Sequence, residues 1–281
     1  MKYSVGIAVF LLFALIFAPF LQAEPVGVDL ELILATDVSS SIDSVDFALQ
    51  RAGYEAAFRS PSVISAIESG AIGSIAVTLW DFANDVSVAV PWTVISDEDT
   101  ANAFADAISA APRDFSLGPN DGQSNLIYQA LAALLANNFD GTRGVLDISS
   151  EGVQDISSED SVDVVGCTYQ DVYCSEVQEA RDAFLAGGGT AINAIWLNDR
   201  NFFGLDATDL INAFQYGSLN VIGGMDSFQT FAKDFNDFAP AIHSKLIREI
   251  STSQIPEPTS LLLLGTGLAA IGLLAGRKSI H

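Results

Sequence analysis

The run "DLELILATD", residues 29–37, is mostly apolar for the length of a strand and then ends in polar residues. A strand with one wet face alternates apolar and polar residues, whereas a strand covered on both faces of a parallel sheet does not. Two further runs, "SIAVTLWDF" and "DVSVAVPWTVI", are separated only by Ala83 and Asn84. That spacing predicts a hairpin, and so an antiparallel neighbour. "RGVLDISS", "TAINAIWL" and "LNVIG" complete six predicted strands. Helical spacing occupies most of the gaps, over 44–59, 99–110, 126–136, 176–186, 207–216 and 227–249. Alternation of this kind predicts an α/β, doubly wound, mostly parallel six-stranded sheet with one antiparallel edge strand and helices on both faces. No composition shift interrupts residues 24–250, which read as one domain.

Both ends of the chain read as addresses. Lys2, an apolar run over 5–21 and "LQA" before Glu24 give the order of a secretory signal peptide, with cleavage expected after Ala23. At the other end, residues 251–258 form a short polar linker that ends in Pro256, Glu257 and Pro258. An apolar segment over 259–276 follows, long enough to just span a bilayer, and Arg277 and Lys278 lead a basic cytoplasmic tail over 277–281. This order resembles the PEP-CTERM sorting signal of Gram-negative bacteria. The resemblance implies an exosortase-type enzyme as partner, Pro256, Glu257 and Pro258 as its recognition residues, and a membrane anchor that is temporary. The expected destination is the cell envelope or the exterior, by way of the inner membrane.

With 49% hydrophobic and 17% charged residues, disorder is excluded. All 35 acidic residues lie between Glu24 and Glu257, and three of the 12 basic ones fall in the terminal segments, so the exported body carries an excess of 26 negative charges. Such a body repels nucleic acid and attracts divalent cations. A solvated acidic surface is the alternative account of the same charge. Cys167 and Cys174 are the only cysteines, and in an exported chain they read as a disulfide closing a small loop.

The first strand ends in "LATDVSSSID", where Asp37, Ser39 and Ser41 stand at alternate positions. Ligands of doubly wound sheets bind beyond the carboxyl ends of strands. Hydroxyl and carboxylate oxygens there suit a hard cation such as Mg²⁺. The other reading is that Ser41 or Asp43 simply caps the following helix. Two more loops bear on the choice: "GPNDGQSNLIYQAL" puts Ser124 before a helix, and "VLDISSEG" puts Glu151 at the end of the fourth predicted strand. Together the three loops resemble the metal-ion-dependent adhesion site of von Willebrand factor A domains, and the order from "RGVLDISSEG" to "IHSKLIREI" looks like an exported, poorly characterised bacterial family of that type. The resemblance implies that Ser39, Ser41 and Ser124 contact Mg²⁺, Mn²⁺ or Ca²⁺ through hydroxyls. Asp37 and Glu151 would act directly or through water. An open coordination position would accept an acidic group of a protein or exopolysaccharide partner. Ser124 stands where that family has Thr, and Glu151 where it has Asp.

Catalytic readings find less support. His243 and His281 are the only histidines, the first on an amphipathic helix and the second in the tail, so no Ser-His or Cys-His pairing is legible. "AGGGTAI" follows a helix and precedes a strand, the reverse of a phosphate loop. Trp92, Trp196, Phe202 and Phe203 are secondary candidates for a partner surface, with packing the commoner role. The sequence therefore points to a non-enzymatic adhesion module. An extracellular polymer hydrolase working through surface carboxylates and a matrix protein with a degenerate, metal-free site are the alternatives.

Overall fold

The computed structural model describes residues 24–152, 154, 173–197 and 213–251. The signal and sorting segments, Cys167, Phe202 and Phe203 lie outside the described residues. Among those described, no helix is long and apolar enough to cross a membrane.

Strand β1 (Val26–Val28) leads into β2 (Leu30–Asp37), all eight residues of which are buried. Helices α1 (Ser44–Phe58) and α2 (Pro61–Glu68) follow, then the hairpin of β3 (Ile75–Phe82) and β4 (Val86–Ile95). Next come α3 (Glu98–Ala110), α4 (Gln123–Ala136), β5 (Phe139–Gly141) and β6 (Gly144–Ser150). The last part holds α5 (Ser175–Ala186), β7 (Ala191–Leu197), β8 (Gly223–Gly224), β9 (Gln229–Ala232) and α6 (Phe238–Ser251).

The main sheet runs β4-β3-β2-β6-β7-β8, with β9 also on β7. Strands β3, β2, β6, β7 and β9 are parallel, while β4 and β8 run antiparallel to their neighbours. The mostly parallel sheet and its antiparallel hairpin strand are therefore as expected. Among the described residues the sheet has seven strands, two of them antiparallel, where six with a single antiparallel one were expected. A separate two-stranded parallel sheet, β1 with β5, lies outside that count.

Helices cover both faces. Leu30, Leu32 and Leu34 point to a core shared with Tyr54, Phe58, Phe104 and Phe238, under α1, α2, α3 and α6. Ile33 and Ala35 point the other way, to Leu126, Ile148, Phe184 and Trp196 under α4 and α5. This is the reason β2 shows no alternation: successive side chains enter two different apolar layers.

Two expected elements are corrected. "LNVIG" is not a strand until its last residue, Gly223, which opens β8. Residues Gly217–Val221 form a π-helical turn, with Ile222 N–H donating to the Gly217 carbonyl at 2.9 Å. Asn220 fixes it, accepting from Cys174 N–H at 2.8 Å and donating to the Tyr216 carbonyl at 3.0 Å. The expected helix over 227–249 splits into β9, a short 3₁₀ turn and α6. Asp234 makes the break, its carboxylate accepting from the N–H groups of Asn236 and Asp237. Helix α2 has no counterpart among the expected helices.

Helix α6 packs Phe238, Ile242 and Leu246 on the sheet and also buries Lys245 and Glu249. The Lys245 ammonium pairs with Asp147 of β6 and with Glu249 Oε1 at 2.7 Å, all three side chains fully buried. Asn193 of β7 donates to the same Glu249 oxygen at 2.8 Å. Burial, and then the charge of Glu249, pushes the Asp147 carboxyl well above the usual range. Arg143, just before β6, donates to the carbonyls of Glu249 and Ile250 at 2.9 and 3.2 Å, satisfying groups that a helix end leaves open.

Candidate metal centre

The carboxyl ends of β2 and β6 lie side by side in register, Thr36 opposite Ser149, so Asp37 and Ser150 leave the sheet at the same level. Asp37 is fully buried. Its Oδ1 accepts from Ser39 N–H at 2.8 Å, and the hydroxyls of Ser39 and Ser41 are 3.1 Å apart. The three residues of the first loop are thus brought together. The capping role falls to Asp43, whose carboxylate accepts from Val45 and Asp46 N–H, which leaves Ser41 free of that duty.

The loop is held from outside as well as inside. The Arg113 guanidinium donates to the carbonyls of Val38 and Ser39 at 2.8 Å and to that of Ile42. Ser40 N–H bonds Pro119 O at 3.0 Å, and Val38 N–H bonds Phe82 O at 2.9 Å. Gly122 N–H reaches Ala83 O at 2.8 Å, an approach that a Cβ would block, since it would lie 2.6 Å from that oxygen. Beneath the loop, Arg51 of α1 pairs with Asp81 of β3 and donates to Thr36 Oγ1 at 3.2 Å.

Ser124 is not before α4 but in its first turn, with Gly122 at the N-cap. Its N–H donates to Gln154 Oε1 at 2.7 Å, and the neighbouring Gln123 donates to Gly152 O at 3.0 Å. The second and third loops are therefore stitched together between Gln123 and Ser124 on one and Gly152 and Gln154 on the other, just beyond Glu151. Glu151 directly follows β6 and is half-buried. The structure shows direct bonds among Asp37, Ser39 and Ser41; Ser124 is tied to the third loop through its own N–H, and the charge of Glu151 acts on Asp121.

Sequence reasoning missed Asp121 and Ser150. The Ser150 hydroxyl lies 3.0 Å from Asp37 Oδ2 and 2.8 Å from Asp121 Oδ2. One hydroxyl carries one proton, so it can donate to only one of these carboxylates at a time. Asp121 is 5% exposed, and its Oδ1 has no hydrogen-bond partner among the described residues. Burial raises the Asp37 carboxyl above its ordinary range. Burial, followed by the negative charge of Asp37, pushes Asp121 well above it. In the sequence Asp121 sits in "PNDG", where an Asp-Gly pair reads as turn chemistry and gives no hint of a buried carboxylate.

Asp37 also draws on the Ser39 hydroxyl and shares a hydrogen bond with Asp121, so the two buried acids face one another at a point where a cation would offset their charge. The hydroxyl and carboxylate donor set fits a hard divalent ion. Among the described residues, no three His, Cys, Asp or Glu side chains are grouped closely enough to hold a metal by themselves, so serine hydroxyls would be needed in the set.

Residues 27–254 match a family described as a protein of unknown function, DUF1194. The chain belongs to that family. The DUF1194 region is followed at residues 254–278 by a match to the PEP-CTERM protein-sorting motif, which marks an exported protein sorted to the envelope of a Gram-negative bacterium. No functionally curated protein matches this DUF1194 chain. Among solved structures it is similar to proximal thread matrix protein 1 of the mussel byssus, determined with a zinc-occupied MIDAS motif. The identity is 13% and the TM-score 0.50, over 82% of this chain and 49% of that one, so this chain spans about half its length. The pilus adhesin SpaC of Lactobacillus rhamnosus GG is similar at 14% identity and TM-score 0.49, over 82% of this chain and 30% of SpaC. BatB of Bacteroides thetaiotaomicron follows at 15% and 0.44, over 80% of this chain and all of BatB. The mostly parallel sheet with helices on both faces bears out the expected α/β class, and the likeness to proximal thread matrix protein 1 accords with it in fold. At such identities the likeness shows fold alone.

The remaining candidates are structural where they are described. Trp196 is buried and donates to Gln229 Oε1 at 2.7 Å, and Trp92 packs against Phe139. His243 Nε2 lies 2.9 Å from Ser60 Oγ and 2.8 Å from Ser62 Oγ, joining α6 to the start of α2. Gly188, with φ at 117°, makes the helix-to-strand turn before β7. Cys174 is buried at the N-cap of α5, and the pairing expected for it lies outside the described residues.

Proposed function

We propose that this chain is an exported binding module that uses a divalent cation, Mg²⁺ or the similar Mn²⁺ or Ca²⁺, to engage an acidic group on a protein or exopolysaccharide partner. Asp37, Ser39, Ser41, Ser124 and Glu151 hold the ion. Bound there, it supplies a positive centre to which a partner's oxygen can add. The observation that carries this reading is the buried pair Asp37 and Asp121, which share a single Ser150 hydroxyl at the meeting point of three loops. Asp37 orders the first loop through Ser39 N–H, Arg113 holds the outer side of that loop, and Gln123 and Gln154 hold the second loop to the third.

The fold's likeness to a protein with a zinc-occupied MIDAS motif supports use of a cation, and the sorting motif supports exposure to an extracellular partner. An exosortase-type enzyme recognises Pro256, Glu257 and Pro258, and the segment over 259–276 serves as its membrane-held substrate. Calorimetric titration of the full chain in detergent with Mg²⁺, Mn²⁺ and Ca²⁺, beside Asp37→Ala, tests the cation. Saturable heat from the natural chain and none from the variant is expected. Equal heat from both would refute the site.

A further inference from the structure

We infer that the second carboxylate of the cation site is Asp121, from the loop before α4, and that it contributes more to holding the ion than Glu151 does. The inference rests on the cation reading above and changes its ligand set. Four carboxylate oxygens belong to Asp37 and Asp121, both at least nine-tenths buried. Asp37 Oδ1 takes the Ser39 amide proton, and the two Oδ2 atoms compete for the one Ser150 proton. Gly152 O, 3.2 Å from the same hydroxyl, is a third competitor. Asp121 Oδ1 takes nothing among the described residues. Asp121 also faces Asp37 closely enough to hydrogen-bond it, and two buried carboxylates at that distance are destabilising unless a positive charge lies between them.

Loop geometry fixes Asp121 at this point. It lies between Asn120, whose N–H is held by Asn84 Oδ1 at 2.7 Å, and Gly122, whose N–H is held by Ala83 O at 2.8 Å. Both anchors belong to the β3–β4 turn, so the carboxylate is positioned by a rigid hairpin. Glu151 is half-buried as a residue, although its Oε2 is itself buried, and it carries a longer side chain with more rotamer freedom to lose. Position and side-chain length favour Asp121 as the acid set against Asp37. Ser150, within hydrogen-bond reach of both and donating to one at a time, acts as a positioning residue for the pair.

Mn²⁺ binding to the full chain in detergent, followed by electron paramagnetic resonance, separates the possibilities with four proteins: the natural chain, Asp37→Ala, Asp121→Asn and Glu151→Gln. The expected result is a weakening of more than about tenfold for Asp121→Asn, in the range known for residues that set a metal's environment, and a smaller loss for Glu151→Gln. In chelator, Asp121→Asn is expected to melt at or above the natural chain, because the amide buries no charge, and this shows that the loss is not one of folding. If Asp37→Ala abolishes binding while Asp121→Asn matches the natural chain, or loses less than Glu151→Gln, the assignment of Asp121 is overturned and the site stands. If the natural chain binds no Mn²⁺, or Asp37→Ala binds it equally, the site itself fails and the assignment fails with it.

Discussion

Replacing Lys245 by Met tests the ionic group under α6. The ammonium is fully buried and touches both Asp147 and Glu249, so the substitution keeps the apolar stem and removes only the charge that the two acids share. Taking one partner from a buried ion pair costs about 3–5 kcal/mol, because the other is left as an uncompensated charge. Here the cost falls at the lower end. The Asp147 carboxyl is already pushed upward, so it takes up a proton, and Glu249 keeps the Asn193 amide as a donor. A loss of about 3 kcal/mol lowers the melting temperature of a domain this size by about 6–12 °C. Thermal unfolding followed by far-ultraviolet circular dichroism, with urea unfolding for the free energy, measures it. Adding Asp147→Asn and Glu249→Gln to Lys245→Met removes all three charges and is expected to restore much of the loss, since a neutral group of similar shape has no charge to leave stranded. A single variant within about 1 kcal/mol of the natural chain, or a triple variant worse than the single one, would refute this account.

Asp147→Asn alone has a pH signature. A carboxyl raised on folding gives stability that is complete below its unfolded value of about 4 and is lost as pH rises through the folded value. The stability of the variant relative to the natural chain should therefore improve as pH rises above about 4, read from urea midpoints at several pH values. At the metal centre, Asp37 and Asp121 are both raised, so protons compete with the cation and Mn²⁺ affinity should weaken as pH falls toward the ordinary carboxylate range. Affinity constant across that range would contradict it. Arg113→Ala removes the outer clamp on the first loop without touching a proposed ligand, and is expected to weaken Mn²⁺ binding by about tenfold while the circular dichroism spectrum is kept. Gly122→Ala would push a Cβ against the Ala83 carbonyl and should cost both stability and Mn²⁺ affinity, measured by melting and by titration.

What the sequence shows best is what repeats. Strand β2 declares itself because every side chain meets an apolar layer, and the hairpin of β3 and β4 because only a turn separates two such runs. Helix α2 left its signal in "SPSV", with Ser60 as N-cap and Pro61 opening the helix, but eight residues give too few turns for a periodic pattern. The π-helical turn at Gly217–Val221 was illegible for a different reason. "LNVIG" has strand composition, and only tertiary bonds from Asn220 to Cys174 and Tyr216 decide otherwise. The metal centre divides along the same line. Asp37, Ser39 and Ser41 lie on one continuous loop and could be read as a unit. Asp121 and Ser150 meet only because β2, β6 and the loop before α4 converge, and a single Asp in a Gly-rich turn gives no sign of that.

The grip of Arg143 on the last carbonyls of α6 fixes where the chain departs from the domain. Arg143 precedes the first residue of β6, and Ser150, beside Asp37, is the last. Seven residues of extended strand separate them, about 20 Å. Ser251, the last residue of α6, thus lies at one pole of the domain, and the proposed cation loops occupy the other. A domain held by its tail would present those loops at its far end, the arrangement of a grapnel on its line, with the body of the sheet as the spacer between attachment and grip.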